Sequence, residues 1–379
     1  MLNKRTILFF TDTFNTAVAE NVSAEYAGNN EAVSVIVTKK ELKSDAYNFI
    51  ADKLLPEGSS VRLFALNRRI KLKNAKMDKI KSDKISSRLR KPIQRRILNA
   101  LNRYNPDVVA ITDQSVLRHV ISAADKYERE VKVAVIPDEY ILDKRLISNA
   151  VDYYFVDNFD MRNALVDNGV SDDKVVICGL PVSNACFDDC DRESALTKFA
   201  VSKDSPTVLI SASRAGDVRF MKVLEELKNA SLDVNFIVAC GKNRKILNYA
   251  RELGYSAYND GIDMNAALNA CDAVITRPTT MLMAEAITKN KEVFALLPNG
   301  KMETATYNYL GLDLVTKING IAELIEKLRS LSEMFAEIKG EQSEEDFVAE
   351  ERRAQERSAP IIAHNLFAIA ELNSANRGE

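Results

Sequence analysis

Asp272-Ala273-Val274-Ile275-Thr276-Arg277-Pro278-Thr279-Thr280-Met281-Leu282-Met283-Ala284-Glu285-Ala286 passes from a β-branched run, through a turn, into a helix-forming stretch. Val274, Ile275 and Thr276 favour a strand, Pro278 fixes a turn, and the Met, Leu and Ala residues that follow favour a helix. A strand running straight into a helix is the first part of a βαβ unit, and Glu292–Leu297 supplies the returning parallel strand. Upstream, Phe236-Ile237-Val238-Ala239-Cys240-Gly241-Lys242-Asn243-Arg244-Lys245 repeats the theme, a strand ending in a small polar turn that opens a helix. With Val208–Ile210 before it and Leu314-Val315 beyond, the pattern predicts one open parallel α/β sheet.

Nearer the amino end, Ile7–Phe10, Val33–Val37, Val61–Phe64, Val108–Ile111, Val131–Ile136 and Tyr153–Val156 alternate with helical segments in the same way. A chain of 379 residues exceeds what a single core comfortably holds, so two domains are expected. The fold class is α/β, two Rossmann-like, doubly wound domains: residues 1–185, a linker over 186–206 rich in Asp and Ser, and residues 207–340. A charged C-terminal segment, 341–379, ends in Ile361, Ile362, Leu366, Phe367 and Ile369, whose helical spacing lets it pack back on the fold. Ligands of open parallel sheets bind outside the carboxyl ends of the strands, so functional residues are sought there, in a cleft faced by both domains.

Composition narrows the chemistry. Hydrophobic residues at 46% with 28% charged residues exclude a disordered chain, and no apolar run reaches the length that spans a bilayer. The start, Met1 to Phe10, reads as a first strand rather than a leader, and five cysteines without a secretion signal suit reduced thiols. The expected location is cytoplasmic, peripheral on the inner face of the cell membrane. Cys186 and Cys190 have no histidine nearby, and His119 and His364 are the only two in the chain, so neither a zinc site nor any other metal or cofactor is expected.

Charge is concentrated in the segment 71–97. Eleven Lys and Arg residues between Lys71 and Arg96 face only Asp78 and Asp83, a local net of +9 in a chain whose net charge is −2. Met77, Ile80, Ile85, Leu89, Ile93 and Ile97 recur at helical spacing, and Pro92 can open a new helix. A greasy and cationic helix of this kind suits an anionic membrane surface, with Lys76, Lys79, Lys84 and Arg88 as candidate contacts. No aromatic residue lies between Phe64 and Tyr104 to stack on bases, so nucleic acid is not expected as a partner. A solvated face of an ordinary domain helix is the alternative.

Several short motifs fall in a telling order: Pro106-Asp107-Val108-Val109, Asp138 after Pro137, Val151-Asp152-Tyr153, Gly179-Leu180-Pro181-Val182, Cys240–Asn243, Ala270-Cys271-Asp272, Thr276–Thr280 and Glu285. In these the chain resembles a family of lipid glycosyltransferases, glycosyltransferase family 28. It includes monogalactosyldiacylglycerol synthase, processive diacylglycerol glucosyltransferase and, more remotely, the peptidoglycan lipid N-acetylglucosaminyltransferase. The resemblance covers roughly residues 100–315 and implies the GT-B fold, a UDP-sugar or other nucleotide-sugar donor, a lipid or membrane-borne acceptor, and metal-independent, inverting hexose transfer. It puts Gly261 and Ile262 at the uracil, Thr279, Thr280 and Met281 at the diphosphate, and Glu285 at the ribose. Ser211, Ser213, Arg214, Gly241, Lys242, Asn243, Arg277 and Glu303 complete the candidate donor site at the strand ends.

The chain departs from that family at several positions. Asp12-Thr13-Phe14-Asn15-Thr16-Ala17-Val18 stands where the family has a glycine-rich loop ending in histidine, Thr279-Thr280 replace a glycine pair, and Gly300-Lys301 replace a sugar-contacting Gln-Glu pair. An inverting transfer needs a general base on the acceptor hydroxyl. Asp138 is the favoured candidate, with Asp12, Glu20 and Asp113 as alternatives; His119, on the helix after Asp113, suits the role less well. Two other readings share this architecture: a binding or regulatory protein that has lost the chemistry, and a nucleotide-sugar epimerase.

Overall fold

The computed structural model describes residues 4–11, 16–28, 31–38, 41–42, 83–188, 191–309, 315–340 and 357–377. It divides the chain into two compact units, one of residues 1–51, 71–184 and 356–379, the other of residues 52–70 and 185–355. The strand expected at Val61–Phe64 and the basic side chains of Lys76 and Lys79 lie outside the described residues.

In the first unit β1 (Arg5–Thr11), α1 (Ala17–Ala24), β2 (Ala32–Thr38), α2 (Asp83–Tyr104), β3 (Val108–Ile111), α3 (Leu117–Ala124), β4 (Lys132–Val135), β5 (Tyr153–Val156), α4 (Phe159–Asp167) and β6 (Val175–Ile177) follow in order. The six strands form one parallel sheet in the order β2-β1-β3-β4-β5-β6. Every residue of β3 is buried, as expected where helices cover both faces. β6, three β-branched residues beside β5, completes the sheet and was not among the expected strands.

Residues 186–206, expected as a linker, instead carry the short helix α5 (Arg192–Phe199), and the second unit begins at Ala185. Ala195, Leu196 and Phe199 are buried there, and the Asp191 side chain caps α5 by accepting from the Glu193 amide. The order continues β7 (Thr207–Ser211), α6 (Phe220–Asn229), β8 (Asn235–Ala239), α7 (Arg244–Glu252), β9 (Ser256–Tyr258), α8 (Met264–Ala270), β10 (Ala273–Thr276), α9 (Thr280–Thr288), β11 (Glu292–Ala295), α10 (Gly300–Tyr309), β12 (Val315–Lys317) and α11 (Ile321–Gly340). Its six-stranded parallel sheet runs β12-β11-β10-β7-β8-β9, so the winding reverses between β7 and β10. In open sheets of this kind such a reversal, at the carboxyl edge, is where ligands bind.

α12 (Ser358–Arg377) returns to the first unit. Its Ala359, Ile362, Ala363, Leu366 and Ala370 are buried, and Tyr26 Oη donates to the Ala363 carbonyl at 2.7 Å.

Three aspartates each stand one residue before a strand and share one geometry. Asp107 accepts the Thr6 amide at 2.8 Å while its own amide donates to the Thr6 carbonyl at 2.8 Å. Asp152 closes the same ring on Val133, at 2.8 and 2.9 Å, and Asp272 on Thr207, at 2.8 and 2.7 Å. Each ring satisfies an amide at the start of the adjacent strand and pins the register. Three of the motifs behind the family resemblance are therefore staples at the amino edge of the sheets, opposite the edge where ligands of such sheets bind.

The basic segment is not a free amphipathic surface throughout. α2 runs unbroken through Pro92, which forfeits one intrahelical hydrogen bond instead of starting a new helix. Ile97 and Leu101 are fully buried and Ile93 packs against the same first-unit core, so the apolar stripe is committed to the domain from Ile93 onward. Lys84 and Arg88 lie on the earlier turns of α2, and their side chains are outside the described residues.

Candidate donor site at the carboxyl edge of the second sheet

The turn after β7 has two residues in the left-handed region. Ser213 takes φ 64° and Gly216 φ 75°, and the Asp217 amide returns to the Ala212 carbonyl at 2.7 Å. Against it packs the turn after β8, where Gly241 takes φ 59° and the Lys242 amide donates to the Arg214 carbonyl at 2.9 Å. Asn243 is buried; its Nδ2 donates to the Gly216 carbonyl at 3.1 Å while its Oδ1 accepts the Lys245 amide at 3.0 Å and caps α7. The Gly241-Lys242-Asn243 turn thus braces the Ser213 loop, with Asn243 as the brace. Ser211, buried at the end of β7, lies beneath.

Cations face outward above this layer. Arg214 and Lys242 both approach Asp260 at 3.9 Å, one carboxylate between two cations, which leaves a local net of +1 at the ends of β7, β8 and β9. Gly261 is exposed and donates its amide to Asn259 Oδ1 at 3.2 Å, and Ile262 is half-buried beside it. Asp263 then caps α8 by accepting the Ala266 amide at 3.0 Å.

At the winding reversal, β10 delivers Arg277 into the interior. Its Nε donates to Glu303 Oε2 at 3.0 Å, its Nη2 pairs with Glu303 Oε1, and its Nη1 lies 3.4 Å from Ser213 Oγ and 3.5 Å from Asp217 Oδ2. Asp217 also receives the fork of Arg219, with Nη2 at 2.6 Å, and Glu303 Oε2 also accepts the Asn299 amide at 2.7 Å. Burial pushes both carboxyls up. At Asp217 the Arg219 fork and the Arg277 charge outweigh it and the group sits below its ordinary value; at Glu303, with Arg277 as its arginine partner, burial wins. Arg277 and Glu303, expected to face the donor, face each other. Sequence reading missed Asp217, Arg219 and Asp260; the available signals were an acid directly after Gly216 and another directly before Gly261.

The amino end of α9 follows immediately. Thr279 at the N-cap is extended, φ −101° and ψ 121°, and makes no side-chain capping bond, while Thr280 and Met281 are buried in the first turn. The partial positive charge at a helix amino end favours an anion. One turn on, Glu285 is half-buried; burial pushes its carboxyl up to about 7, against the pull of Lys289.

The sign of that shift gives a test. A carboxyl raised from 4.5 favours the fold below its unfolded value and loses that contribution as pH rises through about 7. Glu285→Gln is expected to match the wild-type melting temperature near pH ~5 and exceed it near pH ~8, by an amount of order 1–2 kcal/mol after discounting for partial exposure. Thermal unfolding across that range checks it.

In the first unit Asp138 is buried in the loop after β4. Asp113 accepts the Ser115 amide at 2.8 Å and its hydroxyl at 2.7 Å, an Asx turn opening the way to α3, which carries His119. Glu20 is exposed on α1, and Asp12 lies outside the described residues. Cys178, Cys186, Cys240 and Cys271 are buried free thiols.

Two parallel six-stranded sheets, each with helices wound about it, define the class: this is the α/β architecture of the GT-B fold. The sequence model of the monogalactosyldiacylglycerol (MGDG) synthase family matches residues 16–182. A processive diacylglycerol β-glucosyltransferase of Staphylococcus saprophyticus is 24% identical over 225 residues, 56% of this chain and 56% of that protein. The chain thus spans about half the length of the curated relatives it matches. Among solved structures, a glycosyltransferase from Rickettsia africae superposes with TM-score 0.58 at 15% identity, over 99% of this chain and 100% of the other. The UDP-GlcNAc 2-epimerase of Neisseria meningitidis, solved with UDP-GlcNAc, gives 0.53 at 14% identity, over 96% and 99%. By sequence the chain is thus similar to MGDG synthase over residues 16–182 and to processive diacylglycerol glucosyltransferases over about half of its length.

Among the described residues no helix is long and apolar enough to cross a membrane.

Proposed function

We propose that the second unit binds a nucleotide-sugar, a UDP-sugar by resemblance, and that the chain transfers its hexose to a lipid or membrane-borne acceptor. The observation that carries this reading is the placing of the amino end of α9 at the winding reversal, with Arg214 and Lys242 on the neighbouring loops. First-turn amides and two cations suit a diphosphate, and they stabilise the departing nucleoside diphosphate without a metal. Glu285 in its ionised form accepts both ribose hydroxyls, and Gly261-Ile262 offers backbone to the base. Similarity to lipid glucosyltransferases supports the acceptor class, and inversion with Asp138 as general base completes the scheme.

Isothermal titration with UDP, UDP-glucose, UDP-galactose and UDP-N-acetylglucosamine tests the donor. Binding of at least one is expected, tighter near pH ~8 than near pH ~6 because Glu285 must ionise to accept the ribose; no binding at millimolar concentration removes the UDP-sugar reading. Asp138→Asn is expected to lower turnover about 10²-fold or more, and full turnover removes Asp138 as base. For the membrane surface, neutralising Lys76, Lys79, Lys84 and Arg88 together is expected to abolish flotation with anionic liposomes, and unchanged flotation sinks that docking role.

A further inference from the structure

We propose that Arg277 is a positioning residue, which shapes the anion site by tying three loops together and not by touching the ligand. This rests on the nucleotide-sugar reading above.

Three strands end beside one another at this point, and the turn after β8 braces only the loop after β7, on the side away from β10 and β11. Arg277 joins that loop to the other two. Through Ser213 and Asp217 it holds the loop after β7; through Glu303 it holds the first turn of α10, which follows β11; and its own backbone leads by two residues into the N-cap of α9. Arg219 closes the ring by joining Asp217 to the Leu297 carbonyl at 2.9 Å, and Leu297 itself takes φ 53°.

The inward role follows from counting donors and charges. A guanidinium has five N–H groups in a fixed fork, and both of its edges are directed at protein acceptors, so it presents no bidentate face to a phosphate. Two arginines against two carboxylates leave the cluster with no net charge. It therefore adds little attraction for a dianion, which must come from the end of α9, Arg214 and Lys242. What the cluster can supply is geometry, because a catalytic or binding site loses much of its strength when its donors are misplaced by about 1 Å.

The alternative is that Arg277 is a phosphate ligand masked by Glu303 until the donor arrives. Glu303→Gln separates the two with opposite signs. It leaves Arg277 in place and weakens its tether. If Arg277 positions, the loops loosen and UDP binds more weakly; if Arg277 is a masked ligand, the released fork binds UDP more tightly.

The experiment is UDP titration of wild type, Glu303→Gln, Arg277→Met and Arg214→Met at low and high salt, with amide hydrogen exchange of the ligand-free proteins. Expected are losses of affinity of about ten-fold or more in Glu303→Gln and Arg277→Met that hold at both salt concentrations. Exchange over residues 213–217 and 299–306 is expected to quicken in both. Arg214→Met should instead show a loss that shrinks at high salt, as for a direct charge contact. Tighter UDP binding by Glu303→Gln, or unchanged binding by Arg277→Met, overturns the proposal. Should wild type bind no UDP at all, the donor reading fails separately. Exchange then decides: quickened exchange in both segments supports the positioning role and unchanged exchange overturns it.

Discussion

Gly241→Ala is expected to destabilise the second unit by about 2–4 kcal/mol and to abolish the nucleotide binding proposed above. The residue takes φ 59°, where an alanine costs of order 1 kcal/mol. The larger part is contact. A Cβ at this position would stand 2.3 Å from the Ser213 carbonyl oxygen, 2.5 Å from that of Arg214 and 2.8 Å from the Arg214 carbonyl carbon. All three are backbone atoms, so no side-chain rotation relieves them, and the two turns must part at a cost typical of overpacking. They are also the turns that carry Arg214 and Lys242. Gly169→Ala provides the control: φ is 88° there and nothing lies within 4 Å of the added methyl. Urea unfolding of both variants separates the conformational from the contact contribution. Equal losses would show that the two turns do not pack as described.

Arg377→Met is expected to cost the first unit about 3–5 kcal/mol, the range for leaving a buried charge without its partner. Arg377 pairs with Asp107 Oδ1, and the other Asp107 oxygen accepts the Thr6 amide; Asp107 is buried and Arg377 mostly so. Asn373, one turn earlier on α12, donates to the Asp107 carbonyl at 2.9 Å and to the Glu130 carbonyl at 3.2 Å. The C-terminal helix is therefore fastened to the amino edge of β1, β3 and β4 by polar groups as well as by Ile362 and Leu366. Losing the arginine leaves the Asp107 carboxylate with an amide and no charge partner. Unfolding followed by near-UV signals should show the first-unit transition moved and the second unchanged. Asp107→Asn combined with Arg377→Met should recover part of the loss, because no unpaired charge remains; no recovery would mean that packing, and not the ion pair, fastens the helix.

How far the chain could be read without coordinates depended on how local each determinant is. Strand runs such as Val108–Ile111 and Asn235–Ala239 declare themselves because a strand covered on both faces must be apolar along its length. Ser256–Tyr258 did not, since a three-residue strand at the sheet edge needs little apolar surface. The helix entry at Thr279 and Thr280 was legible from Pro278 and the apolar run after it. Pro92 misled, because its missing N–H marks a helix start only when nothing else holds the chain, and here Ile97 and Leu101 buried in the core carry the helix through.

The amino-acid sequence by itself determined the α/β class, the two sheets, the order of elements and the strand-end turns where ligands of such folds bind. These depend on periodicity and turn chemistry within a few residues. Only the tertiary structure decided what those turn residues do. It set Asp107, Asp152 and Asp272 as staples at one edge, Asn243 as a brace between turns, and Arg277 with Glu303 as an internal pair at the other. Glu303 lies far along the chain from Ser213 and Asp217, and a guanidinium is equally suited to a phosphate and to a carboxylate. Which of the two it meets is decided by the parallel sheet that sets the ends of β7, β10 and β11 side by side.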